Sequence, residues 1–144
     1  MKKIVFFVVL FMIASCTQSS IFEQYELSYS RSGGFAPIYE NLLIRNNTAY
    51  YFFEGSGKKF NKKTHITPEE KSKLYEAINT NDLAQIREDY KKVFDNITTT
   101  VKVKNASQKI FKDDGSFIVP EHQSRWQAVT GAFESLIETK NFRN

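Results

Sequence analysis

The only cysteine of the 144-residue chain, Cys16, stands at the end of a short apolar leader, and this limits what the rest can fold into. Lys2 and Lys3 form a positive start, and Ile4 to Ile13 is an unbroken apolar run of ten residues. Ala14 and Ser15 then supply small side chains before Cys16. This is the layout of a secretory signal. The run is too short to span a bilayer, which takes roughly 20 apolar residues in a helix. Beyond Cys16 there is no thiol, so disulfides, a cysteine-ligated zinc and a cysteine nucleophile are excluded from the body of the chain. Cohesion has to come from apolar burial. Seven Tyr and the ten of thirteen Phe that follow Cys16 supply much of it, each aromatic side chain burying on the order of 150–250 Å².

Ile13-Ala14-Ser15-Cys16 resembles the lipobox of bacterial lipoproteins. The resemblance implies that residues 1–15 are a signal peptide, that Cys16 is acylated, and that the mature protein sits at the bacterial cell envelope as a lipid-anchored membrane protein. Residues 16–21 then form a lipidated cysteine and tether, and residues 22–144 a single domain of ordinary size. From Cys16 onward the chain holds 18 Lys+Arg against 16 Asp+Glu. A net charge near +2 on an exported protein is not the footprint of a nucleic-acid binder.

Tyr25, Leu27 and Tyr29 alternate with polar residues at the period of a half-buried strand. Arg31 to Pro37 breaks the pattern with two glycines and a proline. Ile38, Leu42 and Ile44 share one face of a second strand, with Tyr39, Asn41 and Arg45 on the other. Asn46-Asn47 suits a two-residue hairpin turn. Thr48 to Phe53 is aromatic on both faces, which predicts a central strand covered on both sides. Glu54 to His65 reads as a loop carrying Lys58, Lys59, Lys62 and Lys63 around Phe60.

Thr67-Pro68-Glu69-Glu70 is a helix start with its capping box, and the helix should run to about Asn79, burying Leu74, Ala77 and Ile78. Leu83 to Ile86 adds a short turn, and Arg87 to Asn96 is a charged connection carrying Tyr90 and Phe94. Ile97, Thr99, Val101 and Val103 share a strand face, a short strand follows around Lys109 to Lys112, and Asp113-Asp114-Gly115 turns the chain. Pro120 opens a closing helix whose Trp126, Val129, Phe133, Leu136 and Ile137 form one apolar stripe. The expected fold is α+β, a two-layer sandwich of about five mainly antiparallel strands covered by two helices.

Few residues point to catalysis. His65 and His122 belong to no ligand run, and Glu121-His122 lacks the second histidine at helical spacing that a zinc helix needs. Ser56 lies in Gly55-Ser56-Gly57, without the nucleophile elbow. No catalytic residue, metal ligand or cofactor is assigned. The dense lysine cluster could touch anionic head groups, at about 1 kcal/mol per basic residue near the surface.

Ser30-Arg31-Ser32-Gly33-Gly34-Phe35-Ala36, following a first strand, resembles the start of emfourin-type protealysin inhibitors, small bacterial proteins that inhibit thermolysin-type metalloproteases. The later order of strand, capped helix, strand and closing helix is also similar. The lipoprotein leader and the lysine-rich segment depart from that pattern. The resemblance implies a protein-binding module without catalysis, with Arg31, Gly33, Gly34 and Phe35 as candidate partner-binding residues. Gly33 and Gly34 also suit the backbone of a tight connection. The expected partners are the membrane, through Cys16, and an envelope or extracellular protein. The alternatives are a structural or assembly lipoprotein of the envelope and, less favoured by the residues, a hydrolase.

Overall fold

The computed structural model describes residues 25–35, 37–91 and 95–144. The expected signal, Cys16 and its tether lie outside the described residues, as do Ala36 and Phe94. The elements in chain order are β1 (Glu26–Gly33), β2 (Ile38–Arg45), β3 (Thr48–Gly55), β4 (Lys58–His65), α1 (Pro68–Thr80), a 3₁₀ turn (Leu83–Gln85), β5 (Ile97–Lys104), β6 (Lys109–Asp113), a second 3₁₀ turn (Pro120–His122) and α2 (Gln123–Thr139). The strands make one six-stranded sheet in the order β4-β3-β2-β1-β5-β6, every neighbouring pair antiparallel. The architecture is α+β, with one strand more than the alternation predicts.

The added strand is the lysine-rich segment, which is not a loop. Gly55 pairs with Lys58 across a two-residue turn, and both turn residues take positive φ, Ser56 at 50° and Gly57 at 73°. Left-handed backbone at both positions matches the right-handed twist of the flanking strands, which is why such turns close hairpins. Along β4, Phe60, Lys62 and Thr64 are half-buried while Asn61, Lys63 and His65 are exposed. That is a strand's period of two written in polar residues. Lysines suit an edge strand because they discourage pairing with another chain.

β3 is likewise not covered on both sides. It lies second from the β4 edge, with Ala49 and Tyr51 buried on one face and Tyr50 exposed on the other. Its outer rings are shielded by lysines rather than by a second layer: the Lys63 ammonium lies 5.4 Å from the Tyr50 ring centre, and that of Lys59 5.7 Å from Phe52. Cation–π contact and the apolar lysine stems offset part of the cost of leaving aromatic surface wet.

Both helices cover the same sheet face. α1 begins with the complete capping box, Thr67 accepting from the Glu70 N–H and Glu70 accepting from the Thr67 N–H. Tyr75 joins Leu74 and Ile78 in the core, while Ala77 is only half-buried. The α2 stripe is buried at every expected position, from Trp126 to Ile137. Trp126 also satisfies its one polar atom, the indole N–H donating to Asp114 Oδ2 at 3.1 Å. Tyr29 stacks on Phe133 at 5.5 Å between ring centres, and Tyr51 on Phe142 at 4.9 Å. Among the described residues, six of the twenty-one buried core residues are aromatic and the other fifteen aliphatic, so the rings stack within a mainly Leu, Ile and Val core.

Candidate functional site

The sheet has two unlike ends. β1 enters at the end that carries the Asn46-Asn47 turn and the Asn105–Gln108 connection, since Glu26 pairs with both Arg45 and Lys104. The far end gathers the connections around residues 33–35 and 37–38, 55–58, 87–91 and 95–97, and 113–118. Gly33 pairs there with both Ile38 and Ile97. Asp114 accepts from the Thr99 N–H at 2.6 Å and donates its own backbone N–H back to Thr99. Glu88 bridges Ile118, and the Asp89 N–H donates to the Phe117 carbonyl at 3.0 Å.

Three exposed aromatic residues mark this far end. Phe35 is 96% exposed, Tyr90 82% and Phe117 47%. Tyr90 and Phe117 also take left-handed backbone, φ 55° and 63°. For bulky residues this is uncommon, costs about 1–3 kcal/mol each, and clusters where surrounding structure enforces it for a purpose. Sequence pattern singles out neither Phe117 nor Tyr90, which falls in the charged connection after Arg87. The signal for Phe117 was a lone aromatic after an Asp-Asp-Gly-Ser turn, belonging to no strand or helix stripe.

The glycines before Phe35 are both required by geometry. Gly33 has φ +104°, and a Cβ there would meet the Asn96 carbonyl oxygen at 2.7 Å. Gly34 has φ +87°, with a Cβ 3.1 Å from Ile97 Cγ1. The β1–β5 pairing thus presses directly against them and fixes the base from which Phe35 projects. Arg31 is used differently. Its guanidinium lies 3.6 Å from Glu40 and 3.7 Å from Glu134, on the helix-covered side.

Glu40 is the centre of an internal network and only 1% exposed. Arg143 meets it with two hydrogen bonds, at 2.8 and 3.0 Å, and reaches Glu134 at 2.7 Å. The Tyr51 hydroxyl donates to Glu40 and that of Tyr29 to Glu134. Burial first, then these hydrogen bonds to carboxylates, push both phenols above the ordinary tyrosine range. Hydrogen bonding to Glu40 raises Arg143 further. All of these groups satisfy one another. The network joins the segment around Arg143 to the middle of the sheet.

The four lysines, expected as one basic patch, part company on the strand. Lys62 donates to the backbone oxygens of Asn141 and Asn144, holding the C-terminal tail. Lys59 pairs with Glu54 at 3.0 Å on the opposite face, where Lys63 also points. Lys58 sits exposed beside the Ser56-Gly57 turn. Successive side chains on a strand face opposite ways, so neighbours in sequence cannot form a single patch.

The remaining polar candidates do not converge. His65 ends β4 on the surface, while His122 accepts from the Arg87 N–H through Nδ1 at 2.9 Å. Among the described residues no group of three or more His, Cys, Asp or Glu is placed to hold a metal. No described helix is long and apolar enough to cross a membrane. No protein-family model matches this chain, and no curated protein matches it either.

Proposed function

We propose that this chain is a lipid-anchored lipoprotein of the bacterial envelope, held through Cys16, whose domain is a non-catalytic protein-binding module. The supporting observation is Phe35, a phenyl ring 96% exposed on a loop whose two preceding glycines are gripped by β5. A ring so placed does nothing for the free domain and offers a partner a preformed aromatic anchor. Tyr90 and Phe117 widen that contact at the same end of the sheet. The emfourin resemblance rests on Ser30 to Ala36, Phe35 among them, and points to an extracellular or periplasmic metalloprotease as the partner.

The test is capture by the tagged, lipidated protein from its own membranes, read beside inhibition of a thermolysin-type protease. Phe35→Ala should lower capture about tenfold or more, as for a central aromatic anchor, while its melting temperature stays near that of the wild type. Inhibition of the protease, lost in the same variant, supports the inhibitor reading. Capture of an envelope-assembly component without protease inhibition turns the assignment to a structural or assembly lipoprotein. Capture unaffected by Phe35→Ala overturns the loop-anchor reading.

A further inference from the structure

The open face of the sheet differs in charge from the rest of the molecule. Strand pairing places Arg45, Lys59, Lys63, Lys102, Lys104 and Lys109 on that face, against three acids, Glu26, Glu54 and Asp113. Each acid is already engaged: Glu26 with Arg45 at 2.7 Å, Glu54 with Lys59 at 3.0 Å, and Asp113 with the Gly115 N–H at 3.0 Å. Removing these nine residues from the mature balance of 18 basic and 16 acidic leaves twelve against thirteen. The surplus of positive charge therefore lies wholly on the face that the helices leave bare.

Aromatic rings lie among these lysines. Tyr39, Asn41, Leu43, Tyr50, Phe52 and Asn61 line a shallow trough across β2, β3 and β4. Lys102 sits 5.3 Å from the Phe111 ring centre on the other half of the sheet, as Lys63 does at 5.4 Å over Tyr50. Rings with an apolar body and a polar tip, interleaved with long-stemmed cations, suit the boundary between acyl chains and head groups. Six strands of up to eight residues make a face roughly 29 by 26 Å.

We infer that this open face docks on an anionic lipid bilayer, so that the sheet lies along the membrane that holds Cys16. The inference rests on the lipid-anchor reading. Geometry permits it: nine residues lead from Cys16 to Tyr25 at the start of β1, a reach of at most roughly 30 Å, longer than the sheet itself. Net positive charge meets anionic head groups, each lysine near the surface strengthening attachment about fivefold. In this pose the far-end loops with Phe35 project sideways along the membrane, toward a partner that is also at the bilayer surface.

The experiment uses the mature lipidated protein with a single added thiol, Asn61→Cys on the open face or Lys73→Cys on the exposed side of α1, each carrying an environment-sensitive fluorophore. The protein without an added thiol must take no label and must float with neutral phosphatidylcholine vesicles. Failure of that step rejects the anchor and removes the basis of the docking inference. On vesicles with about one-third phosphatidylglycerol, the position-61 label should become shielded from an aqueous quencher and exposed to a head-group nitroxide. The position-73 label should stay open to water. The shielding should vanish at about 0.5 M salt, and Lys63→Ala and Lys102→Ala should each lower the docked-to-free ratio about fivefold. Equal quenching of the two labels on anionic vesicles overturns the inference. So does shielding of position 61 in native membranes but not on the vesicles, which assigns the face to a glycan or protein instead.

Discussion

The two faces of this sheet carry similar residues and treat them in opposite ways. On the helix-covered face, Tyr29 and Tyr51 are 1% exposed, stack on Phe133 and Phe142, and give their hydroxyls to Glu134 and Glu40. On the open face Tyr50 is 43% exposed and its ring meets a lysine and water. Charges follow the same division: Glu40 is enclosed by arginines, whereas Lys63, Lys102 and Lys104 stand at the surface. Residue type alone therefore does not say which face holds the domain together. What separates the faces is whether a second layer removes water from the ring.

The largest effect should come from the covered face. Trp126 is 4% exposed and donates its indole N–H to Asp114, which in turn accepts from the Thr99 N–H. Trp126→Ala should cost about 3–5 kcal/mol, a large share of a small domain's stability. It should also loosen the 113–118 turn, because Asp114 loses a partner. Chemical denaturation followed by circular dichroism measures it. A loss under about 1 kcal/mol would mean that α2 does not close the core as described.

This contrast also decides what could be read from the chain. The α2 stripe and the α1 capping box were legible because helical spacing and capping are local signals. β4 was not. Its lysines look like a solvated loop until the Ser56-Gly57 turn and the two-residue alternation of Phe60, Lys62 and Thr64 are taken together. β3 was misread for the converse reason: Tyr50 and Phe52 look like core residues, and nothing local reveals that lysines from the neighbouring strand shield them. The glycines before Phe35 were legible as a special connection. The Glu40 network was not, since Arg143 lies 103 residues away in sequence.

The second effect tests whether that network is structural. Arg143 is the only group giving Glu40 two hydrogen bonds among the described contacts, and Arg31 remains farther off at 3.6 Å. Arg143→Ala should therefore cost about 2–3 kcal/mol, less than the 3–5 of a fully buried pair because the arginine is partly exposed. Arg143→Met combined with Glu40→Leu should be less damaging than the sum of the two single changes, as removing both charges leaves none uncompensated. Additive losses in thermal melts would show that the ion pair does not act as a unit.

A smaller effect lies at the edge of the covering layer. Burial opposes ionisation of Glu70, but the Lys140 ammonium at 2.8 Å and the Thr67 N–H hold its carboxyl below the ordinary value of 4.5. With the folded value depressed, the contribution is present above the unfolded value and is lost as pH falls through the folded one. Glu70→Ala should cost about 1 kcal/mol at about pH 6 and progressively less as pH falls below 4.5 toward about pH 3. A cost unchanged between the two would assign the loss to packing rather than to the carboxylate.

The smallest effect belongs to the open face, and it bears most directly on the comparison. Tyr50 pairs across the sheet with Leu43 and Lys63 and has no helix above it. Tyr50→Thr keeps a residue suited to a strand and removes only these cross-strand contacts, each worth about 0.2–1 kcal/mol. The variant should therefore melt close to the wild type, with a loss of about 1 kcal/mol or less, while the same change at Tyr51 should be severely destabilising. Similar losses at Tyr50 and Tyr51 would break the contrast, because an unseen layer would then have to cover the open face in the free protein. A small loss at Tyr50 alone leaves its ring, like that of Phe35, as surface the fold does not need, and so available for contact outside the domain.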